Sequence, residues 1–266
     1  MIESWHAAIL GAVEGVTEFL PISSTGHLIL ASRLLGLEGE AANTFDIVIQ
    51  AGALGAVLVL YRRRMLQLVR GLFGDPAGRR LLLCLFISFL PSAVLGLLFH
   101  HTIKTHLFTP RAVLAALAAG GIAMIAIDRI ARAVPGRGLD TIGWREAAVI
   151  GLAQCFSLWP GTSRAMTTLA AGLLLGLPGP VAAEYSFLLA VPTLGAATAF
   201  DALKGGSELM AHSSPAAIAV GFAVTMVVAA LAIAGLLRYL ARHGLAPFGW
   251  YRLALTGVWL LVGWAR

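Results

Sequence analysis

Long apolar stretches, separated by short arginine-rich or turn-forming segments, dominate this 266-residue chain. Six of them, at about residues 45–61, 82–99, 111–128, 184–203, 216–237 and 250–265, are long enough to cross, or nearly cross, a hydrocarbon core of ~30 Å. Two more, at about 5–37 and 146–177, are apolar at both ends but interrupted by PISSTG (21–26) and PGTSR (160–164). Pro, Gly and several hydroxyls at membrane depth are tolerated only where the backbone is buried in protein or lines a wet cavity. The pattern therefore predicts an all-α polytopic membrane protein. Six transmembrane helices are expected, plus two re-entrant helical hairpins that each enter and leave on one side.

The chain also resembles itself. At a fixed offset of 140 residues, AAILGAVEGVTEFLPISSTG (7–26) lies over AAVIGLAQCFSLWPGTSRAM (147–166) without a gap. Further along, LLGLEG (34–39) falls on LLGLPG (174–179), and LGA at 54–56 on LGA at 194–196. Each unit holds one hairpin and three spans, an odd number of crossings, so the second copy must sit upside down relative to the first. This predicts an inverted-topology repeat inside a single membrane domain, 1–266, with halves at about 1–130 and 140–266. In such folds the broken helices meet near the bilayer midplane, and the functional site is expected there.

Composition agrees with this reading, since 59% of residues are hydrophobic and only 12% charged, against roughly 25% charged in soluble domains. A net charge of +6 raises the question of nucleic acid. The basic residues, however, form patches between apolar spans without interleaved aromatics, so the charge reports topology and no nucleic acid is expected. Arg62, Arg63, Arg64, Arg70, Arg79 and Arg80 fall in one loop, Arg129, Arg132, Arg137 and Arg145 in another, and Arg238, Arg242 and Arg252 in a third. These thirteen outnumber the four on the other side, Lys104, Arg111, Lys204 and Arg266. The excess puts the three loops in the cytoplasm and both termini outside. The first residues carry Glu3, no basic region and no small-residue cleavage site, so the first apolar stretch is expected to remain. Cys84 and Cys155 lie in apolar runs and suggest neither a disulfide nor a zinc site.

The chemistry concentrates at the two breaks. Glu14 and Glu18, four residues apart, project from one helix face. Burying each acid costs roughly 2.5–3.5 kcal/mol on insertion scales, so they share a proton, hold a divalent cation, or line a wet crevice. Pro21 then stops the helix, and Ser23, Ser24 and Thr25 supply hydroxyls where a second half-helix begins, which outlines an anion site. His27 follows three residues after Ser24, within reach of its hydroxyl if that turn is helical. The second break offers Gly161, Thr162, Ser163 and Arg164. The Arg164 fork suits phosphate oxygens, and an internal bridge to Glu14 or Glu18 is the competing use. Asp46, Gln50, Gln154 and Glu184 either support the site from behind or solvate helix ends; His100, His101 and His106 read as surface residues, and Asp128 as an interfacial helix end.

EGVTEFLPISSTGH (14–27) resembles the acidic motif followed by SSTGH of the bacitracin-resistance-type undecaprenyl-diphosphate phosphatases, and PGTSRAMTT (160–168) is similar to their second motif. FDIVIQAG (45–52) and EYSFLLAVP (184–192) look like the same family, so the resemblance covers essentially the whole chain. One departure is Ala165, where the family has a second serine. The resemblance implies a multi-pass phosphatase of the bacterial inner membrane, and the sidedness above has its site open to the periplasmic side. It would hydrolyse undecaprenyl diphosphate, recycling the lipid carrier of cell-wall synthesis and conferring resistance to bacitracin, which competes for the same lipid. It implies a divalent metal, Mg²⁺ or Ca²⁺, at Glu14 and Glu18, and catalytic roles for Glu14, Glu18, Ser24, His27 and Arg164. Ser23, Thr25, Gly26, Gly161, Thr162, Ser163 and Thr168 would bind substrate. A homodimer is compatible with this reading, which sets no oligomeric state. Inverted repeats with midplane polar sites also build secondary transporters, so a carrier or flippase for a lipid phosphate or anion is the alternative.

Overall fold

The computed structural model describes residues 2–37 and 40–261, and these are helical throughout apart from turns and one isolated bridge between Ile2 and Ser213. In chain order the helices are α1 (Ser4–Thr17), α2 (Ser24–Leu34), α3 (Glu40–Leu60), α4 (Arg62–Leu72), α5 (Pro76–Leu98) and α6 (His100–His106). They continue with α7 (Pro110–Ile130), α8 (Trp144–Gln154), α9 (Arg164–Leu174), α10 (Gly179–His212), α11 (Pro215–Leu240) and α12 (Ala246–Leu261). Three of the long helices start with the same device: Asp75, Thr109 and Ser214 each accept a hydrogen bond from an amide in the first turn, and a proline follows at the first helical position.

Helices α5, α7 and α11, and the Gly179–Leu203 part of α10, are long and apolar enough to cross a membrane. The Phe45–Leu60 part of α3 makes a fifth span if it is counted with α4, from which it is bent by 82°. The 250–265 stretch is helical as α12 up to Leu261, and its end lies outside the described residues, as do the side chains of Lys104 and Lys204 and the whole of Arg266. Large exposed apolar side chains such as Phe86, Leu97, Leu98, Leu203 and Leu231 would be a liability in water and suit a lipid-facing surface.

Two sequence expectations need correction. The arginines at 62–70, placed in a loop, lie on α4. Its arginines and its exposed Leu66, Val69 and Leu72 form an amphipathic helix, and such a helix turns away from the span before it because it cannot continue into an apolar medium. Arg252, assigned to the third basic loop, is on α12 and completely buried.

The backbone repeats at the offset seen in the sequence. α2 and α9 begin 140 residues apart, at Ser24 and Arg164, and α1 and α8 begin 140 apart, at Ser4 and Trp144. Ser23 and Ser163, the residues before α2 and α9, share an unusual backbone, with φ of 74° and 76°. The halves interlock: α1 packs on α11 of the second half, and its counterpart α8 packs on α5 of the first. Equivalent glycines permit both approaches. A Cβ on Gly11 would lie 2.9 Å from the Gly221 carbonyl oxygen, and one on Gly151 would lie 2.7 Å from the Ser88 Cα. Gly11→Val and Gly151→Val should therefore each destabilise the protein by about 1–3 kcal/mol through overpacking. A thermal midpoint in detergent that is unchanged in both variants would contradict this packing.

Candidate active site

Helix α1 ends at Thr17, with Glu18 as its C-cap, and the chain turns through Phe19–Ser23 before α2 begins. On the other side α8 runs into a 3-10 turn at Cys155–Leu158, and the chain turns again before α9. Positive φ at a serine is strained, because the Cβ crowds its own backbone there. Both serines hold this geometry where a half-helix starts, and they differ in what the hydroxyl does. Ser163 caps α9 by accepting from the Met166 amide at 3.3 Å. Ser23 makes no side-chain cap, and its buried Oγ has no hydrogen-bond partner among the described residues.

The breaks are joined by an ion pair. Nη2 of Arg164 donates to Glu18 Oε1 at 2.9 Å, and the two side chains are 10% and 11% exposed. Nη1 of Arg164 donates to the Ser186 carbonyl at 3.0 Å, the guanidinium stands 5.9 Å from the Phe19 ring centre, and its buried Nε has no partner among the described residues. The other oxygen of Glu18, Oε2, accepts from the Ser24 hydroxyl at 2.8 Å. One carboxylate thus holds the cation of the second half and the hydroxyl of the first.

These groups line a cavity of ≈ 190 Å³, together with Ser23, Thr25, Gly161, Ser163 and Gln50. That is below the roughly 300–1,000 Å³ of sites that enclose whole drug-sized ligands. It suits a compact polar headgroup whose apolar remainder stays outside. Hydroxyls, an uncapped helix start and a guanidinium with a spare N–H make its chemistry that of an anion site.

The other candidates from the sequence lie beside the cavity rather than on its wall. Glu14 is 1% exposed, its Oε2 has no hydrogen-bond partner among the described residues, and its charge interacts with Glu18, Asp46 and Arg164. Gly26 is buried in α2 against Leu117. Thr162 contributes its carbonyl, not its side chain. Thr168 is buried; its Oγ1 donates to the Arg164 carbonyl at 2.9 Å and lies 2.6 Å from Ser186 Oγ. His27 and Ser24 are not hydrogen-bonded to one another. His27 Nδ1 donates to the Ser23 carbonyl at 2.7 Å, which leaves Nε2 of the neutral ring to accept from the Tyr251 hydroxyl at 2.7 Å. Of the flanking residues, Glu184 pairs with Arg64 at 3.0 Å and Gln154 donates to Ser92.

The residues that sequence reasoning missed are Tyr251, Ser186 and above all Arg252. The last had a signal: a lone arginine in the apolar run GWYRLALTG (249–257) is by default a functional candidate.

The family model described as bacitracin resistance protein BacA matches residues 7–258. The chain belongs to this family. It is 54% identical to the undecaprenyl-diphosphatase of Sorangium cellulosum over 263 residues, covering 96% of this chain and 86% of that protein. It is 47% identical to undecaprenyl-diphosphatase 2 of Rhodospirillum rubrum over 97% of this chain and 94% of that one, and 43% identical to the undecaprenyl-diphosphatase of Methylococcus capsulatus over 99% of both. This BacA-family chain is accordingly a multi-pass bacterial membrane protein. Within it, Thr168→Val should leave the Ser186 hydroxyl, 1% exposed, without its acceptor, costing about 1–3 kcal/mol. Chemical unfolding of the variant beside the parent measures that difference, and equal stability would remove Thr168 from the support of Arg164.

Proposed function

We propose that this chain hydrolyses undecaprenyl diphosphate to undecaprenyl phosphate and inorganic phosphate, recycling the lipid carrier of cell-wall synthesis. The observation that carries the reading is Glu18, which reaches Arg164 and Ser24 with its two oxygens at the wall of one small polar cavity. The names of the relatives supply the substrate.

In this reading six helices, α3, α5, α7, α10, α11 and α12, cross the membrane, and α1–α2 and α8–α9 are re-entrant hairpins of an inverted repeat. Removing Arg252 from the basic tally leaves twelve arginines against four basic residues, so the sidedness argument stands: Arg-rich segments in the cytoplasm, termini and cavity mouth outside. The headgroup enters from the outer leaflet while the prenyl tail stays between helices.

The diphosphate competes with Glu18 for the Arg164 fork, which takes phosphate oxygens in two parallel hydrogen bonds. Glu18, released from the guanidinium, accepts the proton of Ser24 Oγ. That oxygen bonds to the terminal phosphorus as the bridging P–O bond breaks, and undecaprenyl phosphate leaves with the electron pair. Water then attacks the phosphoserine, the Ser24 oxygen recovers its proton from Glu18, and phosphate departs. The amides at the start of α2 and the Arg164 N–H groups stabilise charge on the equatorial oxygens, so catalysis is mainly positioning and electrostatics. His27 acts on the Ser23 carbonyl and Tyr251, holding the turn that presents Ser24.

Glu14 and Glu18 fit a divalent cation. Glu14 has a buried oxygen without a partner among the described residues, and Mg²⁺ is commonly held by one or two carboxylates plus substrate phosphates. Among the described residues no third His, Cys, Asp or Glu joins them in a group able to hold a metal, so the remaining donors would be phosphate oxygens and water. When bound, Mg²⁺ or Ca²⁺ would neutralise charge on those oxygens.

Purified protein in detergent should release phosphate from a C55 or shorter polyprenyl diphosphate with Mg²⁺ or Ca²⁺ present, and a chelator should stop it; turnover that ignores the chelator removes the cation from this proposal. Glu18→Gln should lower kcat by about 10²–10⁴-fold, and Arg164→Ala by about 10²–10³-fold. Full turnover in either variant defeats these assignments. A carrier for a lipid phosphate or anion is the second reading, favoured by the repeat of the broken helices. Phosphate release in detergent, where no gradient exists, decides for hydrolysis.

A further inference from the structure

We propose that Arg252 is a positioning residue that ties the two breaks together and so sets the distance from Ser24 and Glu18 to Arg164; this rests on the phosphatase reading above. Arg252 is 0% exposed, and all its hydrogen bonds go to main-chain carbonyls. Nη1 donates to Pro21 O at 3.3 Å and to Thr162 O at 2.8 Å, so one nitrogen joins the first break to the second. Nη2 donates to Gly161 O at 2.8 Å and Ala116 O at 3.0 Å, and Nε to Leu117 O at 3.1 Å. Five carbonyls from three separate segments thus converge on one planar group.

The reason for an arginine is geometric. Where a helix is broken at membrane depth, carbonyls in the turn that joins the two half-helices have no helical donors and must find others inside the protein. Pro21, Gly161 and Thr162 are such residues. Only a guanidinium offers five N–H groups in a fixed plane, whereas a lysine offers three from one atom and serves a smaller angular range. Gly120 of α7 makes the space, since a Cβ there would collide with Nη2 of Arg252. The carbonyl sides of the breaks are therefore gathered by Arg252, and their amide-bearing ends, at Ser23–Thr25 and Ser163–Arg164, line the cavity.

This tie matters most during turnover. The Glu18–Arg164 pair also links the breaks, and in the proposed reaction the diphosphate opens it. Arg252 touches neither the cavity nor any acid, so its link persists when that pair opens. Pro21 stands three residues before Ser24, and Thr162 two before Arg164. A shift of the breaks at Arg252 is passed to the reacting groups over one turn of chain.

The test uses the full-length protein in detergent with Arg252→Lys and Gly120→Ala, the second displacing the guanidinium without removing its charge. Steady-state phosphate release from a polyprenyl diphosphate should show kcat down about 100-fold, as a misplacement near 1 Å produces. KM should stay within about threefold. Hydrogen–deuterium exchange should rise in the segments around 19–25 and 159–165 together and not across the chain. Unchanged kcat in folded Arg252→Lys, a rise in only one segment, or faster exchange throughout would each overturn the proposal, the last marking a purely structural role. If Arg252→Lys does not fold, Gly120→Ala decides on the same criteria. If the parent protein releases no phosphate, the phosphatase reading fails instead, and the exchange pattern alone judges the tie.

Discussion

A carboxylate and a guanidinium 2.9 Å apart, Glu18 from the first broken helix and Arg164 from the second, govern how the rest of this molecule is arranged. Either charge alone at membrane depth costs roughly 2.5–3.5 kcal/mol on insertion scales. Deleting one partner of a buried pair costs roughly 3–5 kcal/mol, because the other is left uncompensated. Each half of the chain therefore needs the other to bury its break. The interlocking of α1 with α11 and of α8 with α5 serves the same demand, since a buried ion pair must be walled off by packed helices. The pair also has a chemical consequence. A guanidinium balanced by a single carboxylate can exchange that partner for a phosphate, and the exchange frees a base next to a hydroxyl.

The two halves repeat the backbone but not the chemistry. At the offset of 140, Ser24 corresponds to Arg164, Glu14 to Gln154 and Glu18 to Leu158. The strained serine before each half-helix is retained, because the turn that starts the helix needs it whatever follows. Gln154 occupies the position of Glu14 as a neutral, fully buried side chain, paired with Ser92 and approached by Thr193. The first half thus supplies acids and hydroxyls and the second supplies the cation. A polar site with both signs of charge arises from two copies of one fold that each carry one sign.

Much of this was legible in the sequence because it rests on local rules. Apolar length located the helices, and Pro and Gly located the breaks. The pairing of Arg164 with Glu18 was one of two readings, and spacing had no means of choosing between Glu14 and Glu18, which lie on one helix face. What failed depended on distance across the fold. His27 sits within a turn of Ser24, yet its ring is held by Tyr251, 224 residues away. Arg252 was counted as a loop cation because it lies near the start of an apolar stretch, where a long side chain normally reaches water. Four α12 residues, Gly249, Arg252, Thr256 and Trp259, are buried, so that face of the helix points into the protein and offers no such route. α4 was read as a loop because its arginines were counted without asking whether they share one face of a helix.

A broken helix has two kinds of orphan, and this fold treats them differently. Amides at the start of a half-helix attract anions, and carbonyls at the end of the preceding turn attract cations or donors. If both were satisfied internally, the break would be an inert scar. If neither were, it would not survive at membrane depth. Here the carbonyls of Pro21, Gly161 and Thr162 are taken by Arg252. On the first break, the Ser23 hydroxyl does not cap the helix that follows it. On that first break, satisfying only the carbonyl side leaves a positive edge facing the cavity, reinforced by Arg164 and moderated by Glu18. In the proposed reaction, the polarity of the breaks, more than any single side chain, would select a phosphate headgroup over a neutral one.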